Sequence, residues 1–170
     1  MKLYSFDFDK TFFFTPEPED SKEIWEKSTG KKWPYVGWWS KVETLDTNIF
    51  DIKMNEWVKN EYDKALLDNE KYIILATGRL LKVKGMQEAV NTILNKHNLK
   101  FDEIHLNNKG DTFYFKTKLF EKLIEEKNPS EFIMYDDRKE HLSKFEEWAK
   151  TQNCKITIVD IVNKTTKYIN

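Results

Sequence analysis

The sequence predicts an α/β fold: a three-layer α/β/α sandwich around a mostly parallel sheet, with a small cap insertion after the first strand. Three observations carry that expectation. Short apolar runs alternate with amphipathic helical segments along the chain, and strands joined by helical crossovers form right-handed βαβ units. The run Tyr72 to Ala76 is continuous and β-branched, as in a central strand buried on both faces of a parallel sheet. Within 170 residues there is no internal repeat and no low-complexity linker, so residues 1–170 are expected to form a single domain with a cap-like insertion at about 15–54.

Residues 2–7, KLYSFD, alternate in character and read as the first strand, ending in an acidic cluster. Pro16 and Pro18 break the next segment, and SKEIWEKSTG reads as a short helix capped by Asp20 or Ser21 and stopped by Gly30. From Thr29 to Val42 there are Lys31, Lys32 and Lys41, no acidic residue, and the rings of Trp33, Tyr35, Trp38 and Trp39. Trp57, Val58, Tyr62, Ala65 and Leu66 then mark an amphipathic helix beginning near Asn55. After the central strand, Met86, Val90, Ile93 and Leu94 share a helix face and DEIHLN is the next strand. TKLFEKLIEEKN, from Thr117, is a helix; EFIMYDD, RKEHLSKFEEWAKTQN and CKITIVDIV continue as strand, helix and strand. The tail NKTTKYIN is polar and expected to be loosely held.

Composition narrows the function classes. Hydrophobic residues at 39% can fill a core, which excludes a disordered chain of low hydrophobicity. A formal net charge of -1 gives no global basic field for duplex nucleic acid or anionic membrane, so any such partner must be met locally. Cys154 is the only cysteine, which excludes an intrachain disulfide and a zinc site built on several thiolates and fits a cytoplasmic location. MKLYSFDFDK lacks the apolar run of a signal peptide, and no stretch approaches the roughly 20 apolar residues a membrane helix needs. No membrane and no protein partner is expected.

In open α/β sheets ligands bind beyond the carboxyl ends of the strands. The first strand delivers Asp7, Asp9 and Thr11 there; the central strand delivers Thr77, Gly78 and Arg79; the fourth delivers Asp136, Asp137 and Arg138; Lys116 sits where a crossover helix begins. Asp7 and Asp9, two apart, project to one side of an extended chain, and Asp136 and Asp137 complete an oxygen-rich pocket. Four crowded carboxylates need a cation, and a hard ion such as Mg2+ takes oxygen ligands and completes its shell with waters and substrate phosphate. Only two of the 28 basic residues are arginines, and both adjoin these positions, where a planar bidentate fork suits phosphate. Singly, each group has a plain reading: paired acids near a turn are solvated or capping, and Thr77-Gly78 is ordinary turn chemistry. Their order and shared strand-end placement favour a site.

DFDKT from Asp7 to Thr11, ATGR, a later lysine and YDDR resemble the four motifs of haloacid dehalogenase-like (HAD) phosphohydrolases, in the family's order and over residues 7 to about 141. The resemblance implies a Rossmann-like HAD sheet and an aspartyl-phosphate formed on Asp7. It implies Asp9 as general acid and base, with its backbone carbonyl reaching the metal. Thr77 and Lys116 would hold the phosphoryl group, and Asp7, Asp9, Asp136 and Asp137 would surround Mg2+, with the direct ligand of the last two left open. Thr11, Gly78, Arg79 and Arg138 would adjoin the substrate. Lys116 is preferred to Lys118 because it precedes the helix, where a phosphate also meets the helix N-terminus. His141 is a secondary candidate. Lys10 and Phe12 stand where Gly and Leu are often found in the first motif.

More closely, DFDKTFFFTPEPE, the GWW pair, TFYFK and YDDRKEH are similar to the Swiss Army knife RNA repair-like branch. That implies polynucleotide ends, as does the likeness to the phosphatase half of polynucleotide kinase-phosphatases, whose chemistry removes a 3'-phosphate. The insertion occupies the family's cap position. Its rings and lysines either stack the bases of single-stranded RNA or DNA, with Trp38 and Trp39 touching substrate, or pack the cap onto the core. The expectation is a Mg2+-dependent phosphomonoester phosphatase acting on RNA 3'-ends. A small-metabolite phosphatase such as a 5'-nucleotidase shares the same motifs. A non-catalytic single-strand nucleic-acid-binding module would have no use for DxDxT, and a phospho-receiver domain places its acidic pair before the phosphorylated aspartate, the reverse of the order here.

Overall fold

The computed structural model describes residues 1–169. Along the chain run β1 (Lys2–Phe6), β2 (Phe13–Phe14), α1 (Pro18–Thr29), β3 (Lys53–Met54), α2 (Glu56–Leu66), β4 (Lys71–Leu80), α3 (Met86–Lys96) and β5 (Glu103–Asn107). They are followed by α4 (Thr112–Lys127), β6 (Glu131–Asp136), α5 (Lys139–Ala149), β7 (Lys155–Asp160) and β8 (Thr165–Ile169). Six strands make one sheet in the order β5-β4-β1-β6-β7-β8, parallel throughout except for β8.

Side chains alternate across β1, as the two-residue period of a strand requires. Tyr4 and Phe6 enter a core shared with Val58 and Tyr62 of α2, Val90 and Leu94 of α3, and Trp38 and Phe50 of the insertion. Leu3 enters a second core with Phe120 of α4 and Phe145 and Trp148 of α5. Two cores on two faces give the three layers. β1 leads to β4 on one side while β6 leads to β7 on the other, so the crevice beyond their carboxyl ends is the switch point at which open α/β sheets bind ligands.

The insertion is closed at its base by the two-residue ladder Phe13↔Met54 and Phe14↔Lys53 and by the Asn55 N–H donating to the Phe12 carbonyl at 2.8 Å. It has its own aromatic packing: Trp33 lies 5.0 Å from Trp25 and 4.5 Å from Trp38, and Trp38 is 5.9 Å from Phe50. α1 begins earlier than expected. Pro18 occupies its first turn after Glu17, a position where proline's missing N–H costs nothing, so Asp20 and Ser21 lie inside the helix and cap nothing. Gly30 ends it as expected, in the left-handed region at φ +70°.

Two further boundaries differ. α4 starts at Thr112, five residues before the expected Thr117, because the Asp111 carboxylate accepts the Tyr114 N–H at 2.7 Å and caps it there. The tail is not loose: Thr165–Ile169 pairs antiparallel with β7, in the register Ile156↔Ile169 to Asp160↔Thr165. β8 is held by main-chain bonds while most of its side chains stay exposed, so hydropathy carries no trace of it. Asn170, also assigned to that tail, lies outside the described residues.

Candidate active site

The site forms just past the ends of β1 and β6. The Asp7 N–H donates to the Tyr135 carbonyl at 3.1 Å, which continues the sheet by one residue and fixes the carboxylate against β6. Asp136 closes β6, and its Oδ1 accepts the Arg138 N–H at 3.0 Å. The carboxylates of Asp7, Asp136 and Asp137 each offer an oxygen within 4.8 Å of the others. Lys116 enters from the second turn of α4, fully buried, with Nζ 3.0 Å from Asp7 Oδ1 and 2.7 Å from Asp136 Oδ2. It reaches the site through the length of its side chain and not from ahead of the helix. Lys118, two residues on, is exposed and pairs with Glu121, which leaves Lys116 as the lysine of the site.

Burial dominates the electrostatics. It pushes the Asp7 carboxyl up to about 7, against the pull of Lys116 and with a further push from Asp136 and Asp137. It raises Asp137 to about 6, with Asp136 adding to the effect. Burial alone would raise Asp136 too, but the Lys116 ammonium and the Arg138 N–H hold it below the usual carboxylate value. Lys116, which burial would discharge, is kept charged by Asp136 and Asp7. Three carboxylates thus face one ammonium, and the buried Asp137 Oδ1 has no hydrogen-bond donor. An all-oxygen donor set with an excess of negative charge and an unpartnered buried oxygen fits a hard divalent cation.

Asp9 stands apart from this cluster. The chain turns sharply after β1, with Lys10 at φ +60° and the Phe12 N–H donating back to the Asp7 carbonyl at 3.3 Å. The left-handed conformation at Lys10 accounts for glycine being frequent there in the family, since only glycine enters it without steric cost. The turn sends the Asp9 carboxylate toward β4. There the Arg79 guanidinium holds it, with Nε 3.1 and 3.0 Å from its two oxygens and Nη2 2.6 Å from Oδ1. The Thr15 hydroxyl donates to Oδ1 at 2.8 Å, and the Thr77 hydroxyl lies 3.5 Å from Oδ2. The side chain of Asp9 is therefore not part of the three-carboxylate cluster.

The remaining expected residues divide. Gly78 is needed for close approach, since a Cβ there would stand 2.9 Å from the Thr112 hydroxyl and 3.3 Å from an Arg138 guanidinium nitrogen. Arg138 makes no ion pair among the described residues and lines both cavities that open on Asp9. Trp39 is 40% exposed at the same mouth, its ring 5.5 Å from the Arg79 guanidinium carbon. Trp38 is only 4% exposed, donates Nε1–H to the Pro16 carbonyl at 2.8 Å, and packs the insertion onto the core, which removes it from any substrate surface. Thr11 is wholly buried and Arg79 nearly so, so both act behind the surface that a substrate would meet. His141 packs against Phe113 and Phe145, outside the carboxylate cluster. Thr15, Thr44 and Thr112 were not legible: a lone threonine in a loop or first helical turn has no sequence signature, and only the fold brings these hydroxyls to Asp9, Arg79 and Gly78.

The family described as HAD domain family 1 in Swiss Army Knife RNA repair proteins matches residues 15–170. The chain belongs to this family. The match starts after DFDKT, so the placement of Asp7 and Asp9 in a HAD site rests on their motif and on the geometry above. No curated protein and no solved structure matches the chain. The HAD sheet expected from the motifs is the sheet observed, with the four motif segments gathered at one switch point. No helix among the described residues is long and apolar enough to cross a membrane.

Proposed function

We propose that this HAD domain is a Mg2+-dependent phosphomonoester phosphatase that works through an aspartyl-phosphate on Asp7 and acts on the 3'-phosphate of single-stranded polynucleotide ends. One observation carries the chemistry: Asp7, Lys116, Asp136 and Asp137 form a buried cluster while Arg79 holds Asp9 beside it. In this reading residues 1–170 are one domain with residues 15–54 as its cap, in a cytoplasmic protein.

Asp7 attacks phosphorus in line, an Asp7 oxygen–phosphorus bond forms, and the bond to the leaving oxygen breaks as Asp9 supplies the proton. Asp9 then takes a proton from water, which attacks the same phosphorus and returns Asp7 as a carboxylate with release of inorganic phosphate. Lys116 balances charge on Asp7 and on the phosphoryl oxygens, Thr77 adds a hydroxyl donor, and Arg138 offers the free guanidinium of the mouth. Asp7, Asp136, Asp137 and the Asp9 carbonyl would hold Mg2+, which offsets charge on the phosphoryl group. The RNA-end preference is supported by the family's RNA repair setting and by Trp39 exposed at the mouth.

Phosphate release at fixed Mg2+ from p-nitrophenyl phosphate, a mononucleotide panel and oligonucleotides bearing 3'- or 5'-phosphate tests the reading. Faster turnover of the 3'-phosphorylated oligonucleotide supports it; a preference for mononucleotides assigns the site to small metabolites.

A further inference from the structure

Resting on that reading, we propose that the polynucleotide behind the reacting phosphate lies in a groove leading from Asp9 across the β4–β5 end of the sheet, where Lys82 and Lys109 receive its phosphates. In an in-line displacement the leaving strand departs on the side of the proton donor, away from Asp7, so its path starts at Asp9. Two cavities open there. One of about 530 Å³ sets Glu17, Asp137 and Glu140 against Lys10, Arg138 and Lys139 in its walls, so it offers no excess of positive charge to a strand of phosphates.

The other, of about 290 Å³, has Gly78, Thr112 and Arg138 in its walls and no carboxylate but Asp9. At Leu80 and Gly110 it joins a cavity of about 340 Å³ holding Lys82 and Lys109. At Leu81, Asn108 and Lys109 that one joins a third, of about 310 Å³, which reaches Lys118 and Lys122 beside the edge strand β5. Neither of the latter two has a carboxylate in its walls.

The groove is built on fixed main chain. The Asn107 side chain accepts the N–H groups of Lys109 at 2.8 Å and Gly110 at 3.1 Å and donates to the Gly110 carbonyl at 3.0 Å, so Lys109 sits on a locked turn. The Leu81 N–H donates to the Asn107 carbonyl at 2.9 Å and sets Lys82 beside it. Lys118 and Lys122 are already paired with Glu121 and Glu126, whereas Lys82 and Lys109 make no ion pair among the described residues. Asp111, next to the turn, is committed to capping α4. Half-exposed Leu81 gives bases an apolar floor. Unpaired cations along a carboxylate-free groove that begins at the proton donor fit a single strand bound through its backbone.

The test compares kcat/KM for 3'-phosphorylated oligonucleotides of two and eight nucleotides in the wild type, in Lys82→Glu/Lys109→Glu and in Lys139→Glu, which alters the other cavity. The wild type and Lys139→Glu should favour the longer substrate by about tenfold or more. The double variant should lose most of that gain, and its salt dependence should flatten by about 1.4 log units per log unit of salt, the share of two phosphates on a single strand. A length gain retained by the double variant, lost in Lys139→Glu, or absent from the wild type overturns the groove. Failure of the wild type even on p-nitrophenyl phosphate overturns the phosphatase reading instead. The groove is then read by fluorescence anisotropy of a 3'-hydroxyl octanucleotide: binding weakened about tenfold in the double variant supports it, and equal or absent binding overturns it.

Discussion

Arg79 grips Asp9 along one edge of its guanidinium, Nε reaching both carboxylate oxygens at 3.1 and 3.0 Å and Nη2 reaching Oδ1 at 2.6 Å. Its other nitrogen, Nη1, donates to the Trp39 carbonyl at 2.8 Å and the Thr44 hydroxyl at 2.6 Å, both in the insertion. One buried side chain thus ties the proposed proton donor to the insertion. Arg79→Lys keeps the charge and loses the fork, so kcat should fall about 100-fold through misplacement of Asp9. Arg79→Ala, which leaves a mostly buried carboxylate unpaired, should cost about 3–5 kcal/mol in urea unfolding. Phosphate-release kinetics and denaturation curves on the two variants check both numbers.

Lys116 and Lys118 separate a site residue from a surface one. Lys116→Ala strands Asp7 and Asp136 in a buried pocket and should destabilise the metal-free protein by about 3–5 kcal/mol as well as abolish turnover. Lys118→Ala removes only an exposed pair with Glu121 and should stay within about 0.5 kcal/mol of wild type. Phosphate release and urea midpoints of the two variants together decide whether the role of the later lysine among the four motifs belongs to Lys116.

The pH dependence of stability follows from the carboxyls pushed up by burial. Folded Asp7 and Asp137, at about 7 and about 6, hold protons that the unfolded chain has already lost above the ordinary value of 3.8. The folded state therefore binds more protons between roughly pH 4 and 7, and stability falls as pH rises through that window. Asp136 works the other way, but its contribution is lost only on acidification below the same ordinary value, and His97 and His141, which burial holds below the ordinary imidazole value, oppose the fall with smaller shifts. In EDTA the melting temperature should be higher at pH 5 than at pH 8, and Asp137→Asn should shrink the difference by at least about 2–4 °C, the effect of 1 kcal/mol at this size. Mg2+ should raise it more at pH 8, where the ligands are ionised. Scanning calorimetry with a wild-type curve that is flat or rising from pH 5 to 8 in EDTA would contradict this account.

Neighbouring tryptophans should behave oppositely. Trp38→Ala empties a packed position between Trp33 and Phe50 and should cost about 3–5 kcal/mol. Trp39→Ala should change stability little and raise KM for oligonucleotides, since loss of one stacked base is worth about 1–3 kcal/mol. Melting curves paired with KM values on both variants separate the roles.

What the sequence disclosed and what it hid divide along physical lines. The parallel sheet was legible because buried strands and amphipathic helices write their periods directly into the chain, and the site was legible because its acids follow those strands immediately. The start of α4 was hidden only because TFYFK has no helical period; Asp111 carried the capping signal. β8 had no signal, being held through main-chain bonds. Trp38 and Trp39 are the same side chain one residue apart, and packing against Trp33 and Phe50 with the bond to Pro16 separates the buried one from the exposed one. The Asp9–Arg79 pair spans 70 residues of sequence, and no local pattern announces it.

Covalent catalysis by Asp7 is tested by acid-quenching the Asp9→Asn variant during turnover of p-nitrophenyl phosphate, whose leaving group needs no proton, and mapping the phosphoryl group by mass spectrometry. A phosphoryl adduct is expected on the peptide carrying Asp7 in Asp9→Asn, together with no phosphate release by Asp7→Asn. Phosphate release by Asp7→Asn at the wild-type rate, with no adduct on that peptide in Asp9→Asn, would contradict it.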